Sequence, residues 1–253
     1  MIIATEKNNS PARLETLDTL RGVAVLLMLI HHLFYFLFFA DVSSLNIFTL
    51  PFFVFLPKLT TALFFLVSGL SLGNAYSNPS AKVFSAKQFL KRQLTLGIGA
   101  GAISLVSHAL FPHLFIYFGT LHCLLLSSCI ATAFLNSKRI CFFFSLAIFI
   151  LYYAFNFTLT PLPTSDTLDF VPLFPYAGYL FLGIGLSSAL PLIRFPRPTA
   201  QVSQKLLSFL GRHALVIYMA HYPLLLLCLK LFAKRPPFAK SALGFWVQAV
   251  IPT

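Results

Sequence analysis

The chain has 253 residues, of which 58% are hydrophobic and 9% charged, and its mean hydropathy is +0.86. About a quarter of the residues of soluble domains are charged, so this composition excludes a soluble domain and predicts an all-α integral membrane protein, a polytopic bundle of spanning helices. Eighteen Lys and Arg against six Asp and Glu give a formal charge of +12; basic loops facing anionic headgroups account for that excess, and no nucleic-acid partner is expected.

The chain reads as one domain, 1–253, with a polar N-terminal segment over 1–19 and a tail over 234–253. The first apolar run, 20–40, is too long for a signal peptide and has no clear small-x-small cleavage site after it, so it is expected to remain as the first span. Further runs over 52–76, 94–111, 114–135, 140–157, 173–190 and 211–232 bring the expected count to about seven. Lys58 lies near the start of the second, where a long side chain snorkels to the interface, and Pro57 marks a place for a kink or break. Gly97, Gly99 and Gly101 in the third run, and Gly178, Gly183 and Gly185 in the sixth, permit close helix contacts. Cys123, Cys129, Cys141 and Cys228 form no CxxC pair, which argues against a disulfide scaffold or a zinc site; no metal is expected.

Orientation follows from the basic residues. Lys7, Arg13 and Arg21 precede or open the first span; Lys82, Lys87, Lys91 and Arg92 fill the second loop, Lys138 and Arg139 the fourth, and Arg194, Arg197, Lys205 and Arg212 the sixth. The first, third and fifth loops have no Lys or Arg. Positive loops stay in the cytoplasm, so the N-terminus is predicted to be cytoplasmic. The misfit is the tail, whose Lys234, Arg235 and Lys240 would lie outside after seven spans; 241–251 is too short to cross and reads as interfacial or re-entrant. The fifth loop, 158–172, carries Asp166 and Asp169, and reads either as a solvated turn or as a contact for a polar substrate.

The chemistry-bearing residues start in the first span. Arg21 and His32 are eleven residues apart, about three helical turns, so they share a face with a separation of about 16 Å, roughly half of a ~30 Å hydrocarbon core. His31 points about 100° away, so the two histidines cannot share one role. Ionisable groups at that depth mark functional sites. His122 and His221 also fall near mid-membrane, whereas His108 and His113 lie toward the outer surface and His213 toward the inner one. Three helices can thus bring His32, His122 and His221 to one cavity, and each also reads as a hydrogen-bonded interhelical residue. His32 suits proton transfer. Arg21 reads either as an anchor or, with Lys91, Arg92 and Arg212, as a phosphate clamp. No Gly-rich nucleotide loop or HExxH motif is present. On these residues alone, a proton-coupled transporter and a bis-histidine haem protein stay open beside an enzyme.

Arg21 and His32 stand in LDTLRGVAVLLMLIHH, and the chain also carries LFFLVSGLSLG at 63–73, FLKR at 89–92, FGTLH at 118–122, DFVPLFP at 169–175 and LGRHALVIYMAHYPL at 210–224. These blocks, in this order, resemble the bacterial members of the family named for the heparan-alpha-glucosaminide N-acetyltransferase catalytic domain, over about 13–230. The resemblance implies a multi-pass, inner-membrane acyltransferase that moves an acyl group, usually acetyl, from cytosolic acetyl-CoA to a sugar or glycan on the other side, as in surface polysaccharide modification. It implies His32 as a catalytic residue; the reading of the residues adds Asp169 to orient the acceptor or the imidazole, and Arg21, Lys91, Arg92, His122, Arg212 and His221 as candidate substrate-binding residues. The lysosomal member of the family carries its catalytic histidine in the loop beyond this helix, whereas 40–51 contains none here; a general base is therefore implied over a covalent acetyl-histidine. The expected partners are acyl-CoA, the glycan acceptor and membrane lipids, and the sequence leaves a homo-oligomer open.

Overall fold

The computed structural model describes residues 10–39, 47–76, 86–110, 112–113, 115–159, 167–189 and 201–232. The basic tail, Asp166, Lys82, Arg194 and Arg197, on which part of the topology reading rests, lie outside the described residues. The protein is all-helical among them, with eight helices: α1 (Ser10–Phe39), α2 (Pro51–Tyr76), α3 (Ala86–Leu110), α4 (Thr120–Thr132), α5 (Lys138–Phe155), α6 (Leu173–Leu186), α7 (Gln201–Arg212) and α8 (Ala214–Phe232).

Each of the seven expected runs coincides with a helix, but three helices, within α1, α2 and α5, are both long and apolar enough to cross a membrane. α4, α6 and the described part of α8 are shorter apolar helices. α2 continues through Pro57. The fourth run begins its helix at Thr120 rather than near 114, because the preceding stretch is committed elsewhere: Ser107 Oγ accepts the Ile116 N–H at 2.9 Å, and Phe118 O accepts the Val171 N–H at 3.2 Å in an isolated β-bridge to Phe170. α7 was not expected. It is amphipathic, and its polar residues lower its mean hydropathy below that of a span. α5 has regular ends: Ser137 Oγ accepts the Ile140 N–H at 3.4 Å, and Asn156 closes the helix in the left-handed conformation.

Helices pack mainly as α1 on α2 and α7, and α6 on α2 and α5. The largest core joins Phe65, Leu121, Cys123, Leu124, Ala177, Leu180, Phe181 and Ile184 from α2, α4 and α6. Two crossings are closed by backbone contact. A methyl group on Gly69 would strike the Leu180 carbonyl, and one on Gly183 the Leu66 carbonyl; in the same way Gly22 faces the Leu207 carbonyl and Gly211 the Asp18 carbonyl. The sixth-run glycines are thus packing positions, as Gly178 and Gly185 also show against Phe149 and Phe142 of α5. The third-run glycines differ: Gly101 has open space around it and Gly97 only an ordinary contact. We expect Gly211→Leu to lower stability by about 3 kcal/mol, as overpacking against rigid backbone does, and Gly101→Ala to leave it nearly unchanged. Thermal unfolding of the two variants in detergent checks the contrast; equal midpoints would mean that the α1–α7 seam can open.

These contacts gather the basic residues at one end. Arg21 reaches Ser71 on α2, Arg92 reaches Ser68 one turn away, and Tyr76 bonds Asn136 beside Lys138. At the other end lie the C-termini of α3 and α5 and the starts of α4 and α6.

Candidate functional site

α1 is uninterrupted from Ser10 to Phe39 and carries two polar stations. The helical rise puts Arg21 and His32 about 16 Å apart along it, so one rigid element sets their separation.

At the basic end, Arg21 Nη1 donates to Asp18 Oδ1 at 2.9 Å and to the Gly211 carbonyl at 3.4 Å, and Nη2 donates to Ser71 Oγ at 3.0 Å. Arg92 Nη2 donates to Ser68 Oγ. Ser68 and Ser71 are one turn apart on α2, so they draw two guanidinium groups close enough to repel each other. Arg21 has Asp18 as a counter-ion. Arg92 has no carboxylate partner among the described residues, and its Nη1 is buried without a hydrogen bond, as is Oε1 of the adjacent Gln93. Burying a donor of a charged group without an acceptor costs free energy unless an anion completes it. Beside this point an open groove of about 330 Å³ runs between α3 and α8, lined by Gln88, Lys91, Arg92, Thr95, Leu96 and Leu215. Lys91 therefore stands at the lip of the groove, whereas the exposed Arg212 turns its Nε to the Ser208 carbonyl. All four expected basic residues share one end, and two of them, Arg21 and Arg92, bond serines one turn apart on α2.

At the other station, the ring of His32 meets the ring of His221 edge to face, with centroids 4.7 Å apart. His32 Nδ1 lies 2.9 Å from the Met28 carbonyl, and His221 Nδ1 lies 2.6 Å from the Tyr218 carbonyl. A carbonyl only accepts, so Nδ1 is the protonated nitrogen of each neutral ring, and the lone pair falls on Nε2. Like charges at this separation repel, which disfavours two cationic rings at once. His31 stacks its ring edge on His32 at 5.3 Å and lies near Tyr35 at 6.4 Å. A haem ligated by both His32 and His221 would need its macrocycle between the rings, which here touch.

His122 stands apart from that pair. Its Nδ1 accepts the Gly119 N–H at 3.3 Å, and its Nε2 lies 3.1 Å from Ser104 Oγ, which donates to the Ile116 carbonyl at 2.6 Å. Both ring nitrogens are engaged in holding the start of α4. Asp169 holds the same start: Oδ2 accepts the Thr120 N–H at 3.2 Å and lies 3.5 Å from Thr120 Oγ1. A carboxylate there is favoured by the helix dipole. A Cβ at 119 would lie 2.5 Å from Asp169 Oδ2 and 2.9 Å from Ile116 Cγ2, so any larger residue would displace the Asp169 carboxyl from Thr120. Burial pushes the Asp169 carboxyl above the usual range, with the Thr120 bonds opposing the rise.

Sequence reasoning missed Ser68, Ser71, Thr120 and Tyr218. The first two had a signal, two hydroxyls one turn apart in the apolar LFFLVSGLSLG; Thr120, whose N–H meets Asp169, and Tyr218, whose carbonyl meets His221, had none.

No match was found among curated proteins or among solved structures. The family described as heparan-alpha-glucosaminide N-acetyltransferase, catalytic, matches residues 13–223, a stretch that includes the arginine station, the histidine pair and the Asp169 contacts. On that match the chain belongs to the heparan-alpha-glucosaminide N-acetyltransferase catalytic family, a family of membrane acetyltransferases.

Proposed function

We propose that the protein is a multi-pass acyltransferase of a bacterial inner membrane, which takes an acyl group, with acetyl the first candidate, from acyl-CoA at the basic cytoplasmic end. The acceptor is a sugar or glycan at the opposite end. The observation that carries this reading is an arginine station, Arg21 on α1 with the incompletely hydrogen-bonded Arg92 of α3 nearby, joined by the unbroken α1 to an imidazole base about 16 Å along it from Arg21. The anionic nucleotide end of acyl-CoA suits Arg92, Arg21 and Lys91, with Arg212 adding long-range attraction. The groove between α3 and α8 is the point of entry.

His32 then acts as the general base. As the acceptor oxygen or nitrogen attacks the thioester carbonyl, Nε2 takes its proton, the C–S bond breaks, and the departing thiolate recovers the proton from the imidazole. The products are the acylated sugar and free coenzyme A, with no net proton left on the protein. His221, in ring contact with His32, steadies the positive charge between the two events. His122 and Asp169 fix the end of α4 beside the acceptor side, His122 through its two ring bonds and Asp169 through Thr120. Membrane lipids cover the exposed apolar faces of α3 and α5, among them Ile98, Leu105, Phe143 and Phe155.

The test is purified protein in vesicles, with isotopically labelled acetyl-CoA supplied on the side to which Lys87 is exposed and an oligosaccharide on the other. Label on the oligosaccharide, lost when the donor is moved to the opposite side, is the expected result. Label on water alone, or none, would overturn the reading.

A further inference from the structure

One face of α7 is turned away from the bundle. The helix runs antiparallel along the start of α1: Gly22 meets the Leu207 carbonyl and Gly211 the Asp18 carbonyl, so residue order along one helix reverses that along the other. The seam takes Leu207, Ser208 and Gly211. At about 100° per residue the opposite arc, roughly 120° wide, holds Lys205, Leu206, Phe209 and Arg212. All four are exposed, Leu206 by 57% and Phe209 by 51%. The stretch 201–213 has no Asp or Glu, and neither Lys205 nor Arg212 has an ion pair among the described residues. Water does not favour two large apolar side chains on an outer face, and hydrocarbon does not tolerate two cations there. The mixture belongs at the boundary of headgroups and acyl chains. α7 lies at the basic end of the bundle, where the Gly211 carbonyl accepts from Arg21 Nη1 at 3.4 Å.

We propose that this face of α7 is a docking surface for anionic phospholipid, whose headgroups meet Lys205 and Arg212 and whose acyl chains cover Leu206 and Phe209. A zwitterionic headgroup carries its own cation and offers the two side chains no net charge. A second copy of the chain fits less well, because a two-fold contact would set cations on cations with no carboxylate between them. The lipid holds the α1–α7 seam from outside, and with it the Gly211 carbonyl against Arg21. The inference concerns this surface alone and stands whether or not the chain transfers acyl groups.

The experiment replaces Leu206 with the photoreactive p-benzoylphenylalanine and illuminates the full chain in nanodiscs of equal parts phosphatidylglycerol and phosphatidylcholine, with adducts read by mass. Two cations near an anionic surface contribute about fivefold each, so phosphatidylglycerol adducts are expected in about twentyfold excess. Lys205→Ala in the same protein should cut the excess about fivefold, whereas Lys87→Ala, at the same end on α3, should leave it unchanged. At 1 M salt, with a screening length of about 3 Å, the excess should fall toward parity while adducts of both lipids persist. Placing the reagent at Phe209, where it extends a ring already present, repeats the measurement if the first variant does not fold. Equal adducts of the two lipids at low salt would overturn the anionic preference. A crosslinked pair of chains would put a second copy on the face instead, and a folded protein with no lipid adduct would have α7 facing water.

Discussion

His32→Gln abolishes acyl transfer and leaves acyl-CoA binding nearly intact. Glutamine keeps much of the size of the ring and its hydrogen bonding but has no nitrogen that accepts a proton near neutral pH. The loss expected for a general base is about 10²–10⁴-fold. The proposed donor site, Arg21 about 16 Å away along α1 and Arg92 on α3, is untouched by the substitution, so donor affinity should hardly move. His31→Gln is the control: its ring touches His32 and lies near Tyr35, and it should reduce turnover only mildly. Turnover and donor binding, measured on each purified variant, decide the matter. Near-normal turnover by His32→Gln would sink the assignment, and loss confined to His31→Gln would put the base on the neighbouring face.

Arg92→Ala should weaken acyl-CoA binding by roughly ten- to a hundredfold at low salt, the range for one charge-assisted hydrogen bond to a phosphate. Arg92 is the better target than Arg21, because Arg21 already holds Asp18 and the Gly211 carbonyl and its removal would disturb the α1–α7 seam. Arg92→Lys should recover part of the affinity, since it restores the charge without the planar fork. Binding isotherms at two salt concentrations test this. Unchanged affinity in a folded Arg92→Ala protein would leave Arg92 as an orientation signal alone.

The positions of the helices were legible because hydropathy reports burial in lipid or core, and every apolar run became a helix. The exception is instructive. In QVSQKLLSFLGR the polar residues are as frequent as the apolar ones, so a window average loses the helix although its periodicity is present. The spacing of Arg21 and His32 was legible for a different reason: no Pro lies between them and the helix runs on through Gly22, so local geometry alone fixes it. What remained out of reach was neighbourhood. Hydropathy does not say that α2 lies beside both Arg21 and Arg92, so Ser71 and Ser68 could not be placed as their respective acceptors. It does not say that the start of α4 meets the stretch before α6 either, so Thr120 could not be placed against Asp169. For the same reason His32, His122 and His221 looked equivalent in depth, while the structure joins the first and third and sets the second to hold a helix start.

The backbone-to-backbone seams at Gly22–Gly211 and Gly69–Gly183 also limit how this bundle can breathe. Helices pressed together carbonyl against glycine slide poorly, because any shift along the axis drives a side chain into the gap. Under the proposed transfer between the two ends, one end must open and then the other, and the locked pairs α1–α7 and α2–α6 are the frame expected to stay still. The moving part is then the wall on the far side of the groove, where α3 has open space at Gly101 and carries Lys91 on its exposed edge. A crosslink between α3 and α8 should arrest turnover, whereas one across either glycine seam should pass unnoticed.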